Sequence, residues 1–329
     1  MLEDITLLFC FVDDFCKECA KLTNNYLIEN NQKMRQPTRV SGLEMSEIIT
    51  IILLFYRSKM MNFKAFYKYL ELYHKRDFPK MPTYERFCVI KQKAIPMLLC
   101  IFKCILSEGQ SNAYIDSTAL RVSHNKRTKS HKVFKGIAAV GKSTMGWFYG
   151  FKLHLVIDLH GNIINAKLSK GNCDDRSPVE DLLQEFQGVI YGDKGYISQD
   201  LFNRLWNNGI KLVTGVKSNM KNKLMILKEK ILLKKRSLIE SVFSVLKRNG
   251  LEHSRHRSVH GFILHILGSL VSYQLNRKKP EISNNYSLPR HIKLITRTDS
   301  RKNLRRRMPV NDFHRPIINH VLNSTNFII

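Results

Sequence analysis

Two short apolar runs, Ala113-Tyr-Ile-Asp116 and Gly188-Val-Ile-Tyr-Gly-Asp193, each stop on an acid, and the residues between them leave few folds open. Gly150-Phe-Lys-Leu-His-Leu-Val-Ile-Asp158 alternates, Leu159-His-Gly-Asn162 supplies a turn, and residues 163–170 alternate again, which predicts a β-hairpin. Ser177-Pro178-Val179-Glu180 combines a capping Ser with Pro and Glu at the first helical positions and predicts a helix to about Phe186. A helix over 198–207, a strand over 211–216 and a long basic helix follow Asp193. The order strand, hairpin, helix, strand, helix, strand, helix predicts an α/β fold on a mixed β-sheet flanked by helices, with both acid-ending strands central.

Carboxylates at the same end of neighbouring strands come within metal-bridging distance, and the last helix can present Glu240 as a third. Glu240 stands among Lys234, Lys235, Arg236, Lys247 and Arg248. On one helix Arg236 lies four residues before it and Lys247 seven after, so the three share a side, while Leu238, Val242, Val245 and Leu246 face another. A lone Glu in that setting reads as a salt-bridged surface acid. Asp116, Asp193 and Glu240 converging in a basic protein read instead as metal ligands. Hard oxygen donors suit Mg²⁺ or Mn²⁺, and a pair of such ions serves phosphoryl transfer. The chain carries 54 Lys and Arg against 27 Asp and Glu, a net charge of +27, which favours a polyanionic partner such as nucleic acid. Passive binders are equally basic, so charge by itself does not imply an enzyme.

Residues 1–108 read as an all-helical domain. Ile5, Phe9, Val12, Cys16 and Cys19 recur at helical intervals, Ser41-Gly-Leu-Glu44 has capping-box spacing, and the apolar run that follows predicts a buried helix. The short helices around Phe78-Pro-Lys-Met-Pro82, with Lys75, Arg76, Lys80, Arg86, Lys91 and Lys93, read equally as a DNA-reading helix-turn-helix or as helices packed on each other. Seven cysteines without framework spacing fit a reducing cytoplasm, and Cys16, Cys19, Cys100 and Cys104, at helical spacing in apolar stretches, read as core packing. The apolar run from Ile48 to Tyr56 is half the length a membrane span needs, so no membrane association is expected. Residues 109–280 form the second predicted domain. Residues 281–329, with nine Lys or Arg against three acids, read as a basic, disordered tail.

Six ordered blocks carry a family resemblance: Tyr114-Ile-Asp116-Ser-Thr, His131-Lys-Val-Phe-Lys-Gly136, Gly146-Trp-Phe-Tyr-Gly-Phe-Lys-Leu-His154, Gly171-Asn-Cys-Asp-Asp-Arg176, Tyr191-Gly-Asp193-Lys-Gly-Tyr-Ile-Ser198 and Glu252-His-Ser-Arg-His-Arg-Ser258. They resemble the blocks of bacterial insertion-sequence DDE transposases, specifically the insertion sequence 982 family. The resemblance implies an RNase H-like catalytic core and a divalent-metal triad at Asp116, Asp193 and Glu240, with Asp116 bridging two ions. It also implies double-stranded DNA partners, namely the element's terminal inverted repeats and target DNA. Arg236 and Lys247 fall on its Arg and Lys positions that contact DNA backbone, whereas Leu233 replaces a Tyr found in some related transposases.

Among neighbouring residues, Asp174 and Asp175 read as turn-ordering acids. Arg255 and Arg257 read as DNA-binding, and His253, His256 and His260 beside them as phosphate contacts. Trp147 and Phe148 read as core. Pairing two element ends implies a homodimer or larger assembly on DNA, in the bacterial cytoplasm and nucleoid. A metal-dependent nuclease without strand transfer and an inactive basic DNA-binding protein are the competing readings.

Overall fold

The computed structural model describes residues 5–29, 42–108, 111–216, 220, 225–251 and 256–281. Glu252, His253, Arg255 and the predicted tail beyond 281 lie outside the described residues. Helices α1 (Ile5–Glu29), α2 (Met45–Arg57), α3 (Phe63–Tyr73), α4 (Tyr84–Ile90) and α5 (Ile95–Cys104) come first. Strands β1 (Asn112–Ser123), β2 (Ala139–Ser143), β3 (Gly146–Asp158) and β4 (Ile163–Lys170) follow, then α6 (Val179–Leu182), β5 (Gly188–Gly192), α7 (Gln199–Asn207) and β6 (Ile210–Thr214). Helices α8 (Leu227–Lys234), α9 (Ser237–Leu246) and α10 (Val259–Gln274) complete the described part.

The sheet runs β2-β3-β1-β5-β6, with β4 also on β3. β3 pairs antiparallel with β1 along one edge, and its other edge is shared end to end by β2 and β4. β1, β5 and β6 are parallel. One sheet face buries Ile115, Val156 and Ile190 against Val179, Leu182, Leu183, Leu201 and Leu205. The other joins Tyr114, Leu155 and Tyr191 to α9, α10 and the N-terminal helices in one continuous core.

α10 is apolar nearly all round because it is covered nearly all round, by α2 and α5 among others. Its Gly268 is required there: a Cβ would fall 2.4 Å from the Tyr56 ring. The Tyr56 hydroxyl donates to His265 Nδ1 at 2.8 Å, and His265 Nε2 lies 3.1 Å from the Gly250 carbonyl. A carbonyl only accepts, so the proton of neutral His265 sits on Nε2. Gln274 Nε2 also donates to the Ile105 carbonyl at 2.9 Å, tying the end of α10 to the segment after α5.

Several sequence expectations change. β1 does not stop at Asp116; it continues to Ser123 because β3 pairs with it throughout, with Leu120 and Val122 buried. The residues after Asp116 therefore continue as strand, and β2, to which the sequence reading assigned no element, extends the sheet. The helix predicted to Phe186 is one turn, begun at Pro178 without a side-chain cap, and Asp174 accepts from the Arg176 amide ahead of it. The cap of α2 is Glu44, whose amide donates to Glu47 Oε2 at 2.7 Å. The long basic helix breaks at Lys235–Arg236, where tight turn bonds from Leu238 to Lys235 and from Ile239 to Arg236 separate α8 from α9.

Phe148 is buried, as expected, but Trp147 is 60 % exposed. Lys91, one of the candidate DNA-reading cations, instead lies 4.1 Å from the Phe63 ring centroid, where burial lowers its pKa. His256 is not a charged phosphate contact. It packs between Phe262 and His265, and burial foremost holds its pKa down at about 3.

Burial likewise lowers His154 and His265 to about 4. A histidine held neutral in the fold binds its proton mainly when unfolded, so it contributes stability above the unfolded value of 6.5 that is lost as pH falls towards 4. Each of the three should account for on the order of 2 kcal/mol of lost stability by about pH 5. Thermal melts from pH 7.5 down to 5 should show Tm falling steadily. A flat profile would contradict the neutral assignments.

Candidate active site

Parallel pairing aligns Tyr114 of β1 with Tyr191 of β5. Two residues further on, the strands carry Asp116 and Asp193, so the register brings both acids to one edge of the sheet. Helix α9 packs beside β1, burying Leu238, Ile239 and Val242 among others, and leaves Glu240 more than half exposed. The turn before α9 aims Arg236 into the space between. Its Nη1 donates to Asp116 Oδ2 at 2.8 Å, its Nη2 donates to Glu240 Oε1 at 3.0 Å, and Nη2 lies 3.9 Å from Asp193 Oδ1. Three acids far apart in sequence thus meet on one guanidinium.

The three differ in environment. Asp116 and Arg236 have side chains about one-fifth exposed, whereas Asp193 and Glu240 are 56 % and 59 % exposed. Burial raises the Asp116 pKa above its ordinary value, and Asp193 adds to the rise, while the Ser117 amide, bonded to Asp116 Oδ1 at 2.8 Å, and Arg236 oppose it. A carboxylate kept partly dry and yet charged is costly, and such sites are where function is sought.

A layer the sequence reading missed surrounds Asp116. Ser117 Oγ donates to Asp175 Oδ1 at 2.8 Å, and Lys152 Nζ donates to the same oxygen at 3.1 Å and to the Cys173 carbonyl at 2.8 Å. Asp175 therefore fastens the segment after β4 beside the acids. Asp174 keeps the turn-ordering role expected of it, accepting from the Arg176 amide and guanidinium. The Tyr196 ring lies over Gly192 and close to Ile115, and its buried hydroxyl has no hydrogen-bond partner among the described residues. Burial foremost raises the pKa of that phenol, and Asp116, Asp175 and Asp193 add to the rise. Its spacing after Asp193 resembles any short loop, so only the fold discloses it.

Lys247 continues the helical course of α9, two turns beyond Glu240, and Arg257 is exposed just before α10. Among the described residues no group of three His, Cys, Asp or Glu is close enough to hold one ion. The donor set nevertheless fits a hard divalent cation: all three acids offer carboxylate oxygens and all three reach one positive group.

A mixed sheet with acids at the ends of adjacent parallel strands and a third on the packing helix is compatible with a DDE nuclease fold. Residues 107–259 match the family model described as "Transposase DDE domain", which supports a DDE transposase. The match spans β1 through the start of α10, the part of the chain that carries all three acids. No curated protein matches the chain. A transposase domain implies a DNA substrate, and DDE transposases generally use divalent metal ions. Among the described residues no helix is long and apolar enough to cross a membrane.

Proposed function

We propose that the protein moves an insertion sequence: it nicks the element's ends and joins each 3′-hydroxyl to target DNA. The observation that carries this reading is the convergence of Asp116, Asp193 and Glu240 on Arg236. Divalent ions held by the three acids would supply activation of the attacking oxygen and charge stabilisation for the leaving one. The chain's part is to position. β1 and the Ser117 amide hold Asp116, the end of β5 holds Asp193, and α9 holds Glu240. Arg236 neutralises the acids and offers its guanidinium to the phosphate of the strand being cut. Lys247 and Arg257, and by the sequence reading Arg255, contact the duplex backbone.

The order β4-β3-β1-β5-β6, antiparallel at one end and parallel at the other, supports an RNase H-like core. The block resemblance supports the insertion sequence 982 family. Residues 1–108 serve DNA binding and assembly, two copies pair the element's ends, and the enzyme acts on DNA in the bacterial nucleoid. The test supplies full-length protein with linear DNA bearing the element's own ends, a supercoiled target plasmid and Mg²⁺. Joined end–target products are expected. Nicked ends that never join would replace this reading with a nuclease, and no Mg²⁺-dependent cleavage would replace it with a passive DNA binder.

A further inference from the structure

Residues 117–157 contain eight Lys or Arg and no Asp or Glu. They fold largely into the β1–β3 ribbon with β2 on its flank, and that ribbon runs out from the acid-bearing edge of the sheet. Asp116 pairs with Leu155 and Ser123 with Tyr149, so Trp147 lies eight strand positions beyond the acids, roughly 26 Å at the usual rise. The tip is a tight turn that Gly146 permits with φ near 100°, and Ser143 Oγ donates to the Gly146 carbonyl at 3.1 Å.

That tip is apolar where a solvated turn should be polar. Met145 is 79 % and Trp147 60 % exposed, the latter beside Val140 at 45 %. Lys142 Nζ stands 5.7 Å from the Trp147 ring centroid. Asn125 Nδ2 donates to the Trp147 carbonyl at 2.7 Å and so fixes the backbone of the tip against the turn carrying exposed Lys126 and Arg127. The result is an open indole on a braced arm, surrounded by cations and away from acids.

Resting on the transposase reading above, we infer that this arm grips DNA flanking the cut and that Trp147 stacks on an unpaired base there. Cations along the ribbon suit the phosphates, while the indole face suits a nucleobase. Bases inside a duplex are already stacked on each other, so only an unpaired or extruded base can offer its face. A tenfold change in affinity corresponds to about 1.4 kcal/mol, which lies within the range a stacked base contributes.

Because the chain has only two tryptophans, Trp206→Phe leaves Trp147 as the sole indole reporter. Trp206 lies on α7, stacked with Phe202 and away from the arm. Full-length W206F is titrated, in chelator, with a duplex carrying three unpaired nucleotides at one end, with the fully paired duplex, and with phosphatidylserine vesicles. Saturable quenching by the unpaired end alone is expected. Adding Trp147→Ala should weaken binding to that DNA about tenfold, leave binding to the paired duplex unchanged, and leave the melting temperature unchanged. Trp147→Phe should restore most of the lost affinity.

Equal quenching by both duplexes would overturn the stacking, as would tight binding by anisotropy with no quenching. A blue shift with vesicles and no response to DNA would make the tip a membrane contact instead. Mg²⁺-dependent cleavage by the same preparations separates the two ideas. Cleavage without quenching removes only the Trp147 inference. Quenching without cleavage removes the transposase reading and leaves the stacking site.

Discussion

Asp116→Asn, Asp193→Asn and Glu240→Gln should each lower Mg²⁺-dependent strand cleavage by at least about a thousandfold, a loss of roughly 4 kcal/mol of transition-state stabilisation. The expectation rests on their position: they arrive from β1, from the end of β5 and from α9, and meet on one guanidinium. Each replacement keeps shape, removes charge and leaves Arg236 two of its three acid partners, so duplex binding and Tm should stay close to wild type. Gel assays of end nicking and of joining, run beside DNA-binding isotherms, measure both sides of this statement. Near-normal strand transfer by any one of the three would remove that residue from the triad.

Replacing Arg236 by Gln should have the largest effect on the protein without metal. Arg236 is the counter-charge the structure provides for three carboxylates, and its closest partner, Asp116, is partly buried with it. Removing one partner of such a pair leaves a charge in a poorly solvated place, which costs several kcal/mol when burial is complete. Here both side chains are about one-fifth exposed, and Asp193 and Glu240 are more than half exposed, so solvent screening reduces the expected loss to about 2 kcal/mol. In chelator the Tm should fall by roughly 5 °C. Millimolar Mg²⁺ should restore most of that fall in R236Q and raise the wild type less, because a bound cation supplies the charge the guanidinium supplied. Equal Tm values for R236Q and wild type in chelator, or no gain from Mg²⁺, would break the link between Arg236 and the acids.

The sign of the pH dependence follows from Asp116. Its pKa is raised in the fold, so the folded chain holds that proton more readily than the unfolded chain does. Its ionisation therefore opposes folding once pH rises past the unfolded value, the reverse of the histidine effect. Metal binding needs the carboxylate and should weaken as pH falls through the raised value.

Much of the site was legible in the chain because strand alternation and strand-ending acids are local patterns. The parallel neighbours β1 and β5 follow from two short apolar runs separated by a hairpin. Arg236 was legible only in part. Helical spacing placed it beside Glu240, but its bond to Asp116 spans 120 residues and depends on where α9 begins. Trp147 misled because a large aromatic beside a strand is usually buried, and exposure at a hairpin tip depends on which neighbours cover it. His256 misled in the opposite direction: cations adjacent in sequence suggested a phosphate contact, yet α10 folds the ring into an apolar cluster.

By itself the sequence determined a basic α/β protein with acids ending two short apolar runs and a third acid in a later basic stretch, because charge, period-two alternation and residue order are properties of the chain before it folds. Only the tertiary structure decided that one guanidinium answers all three acids, that Ser117, Asp175 and Lys152 brace the strand beside them, and that Trp147 stands open at the end of an acid-free arm. The physical reason is that contact, burial and counter-charge depend on distances between residues remote in sequence, and packing alone sets those distances.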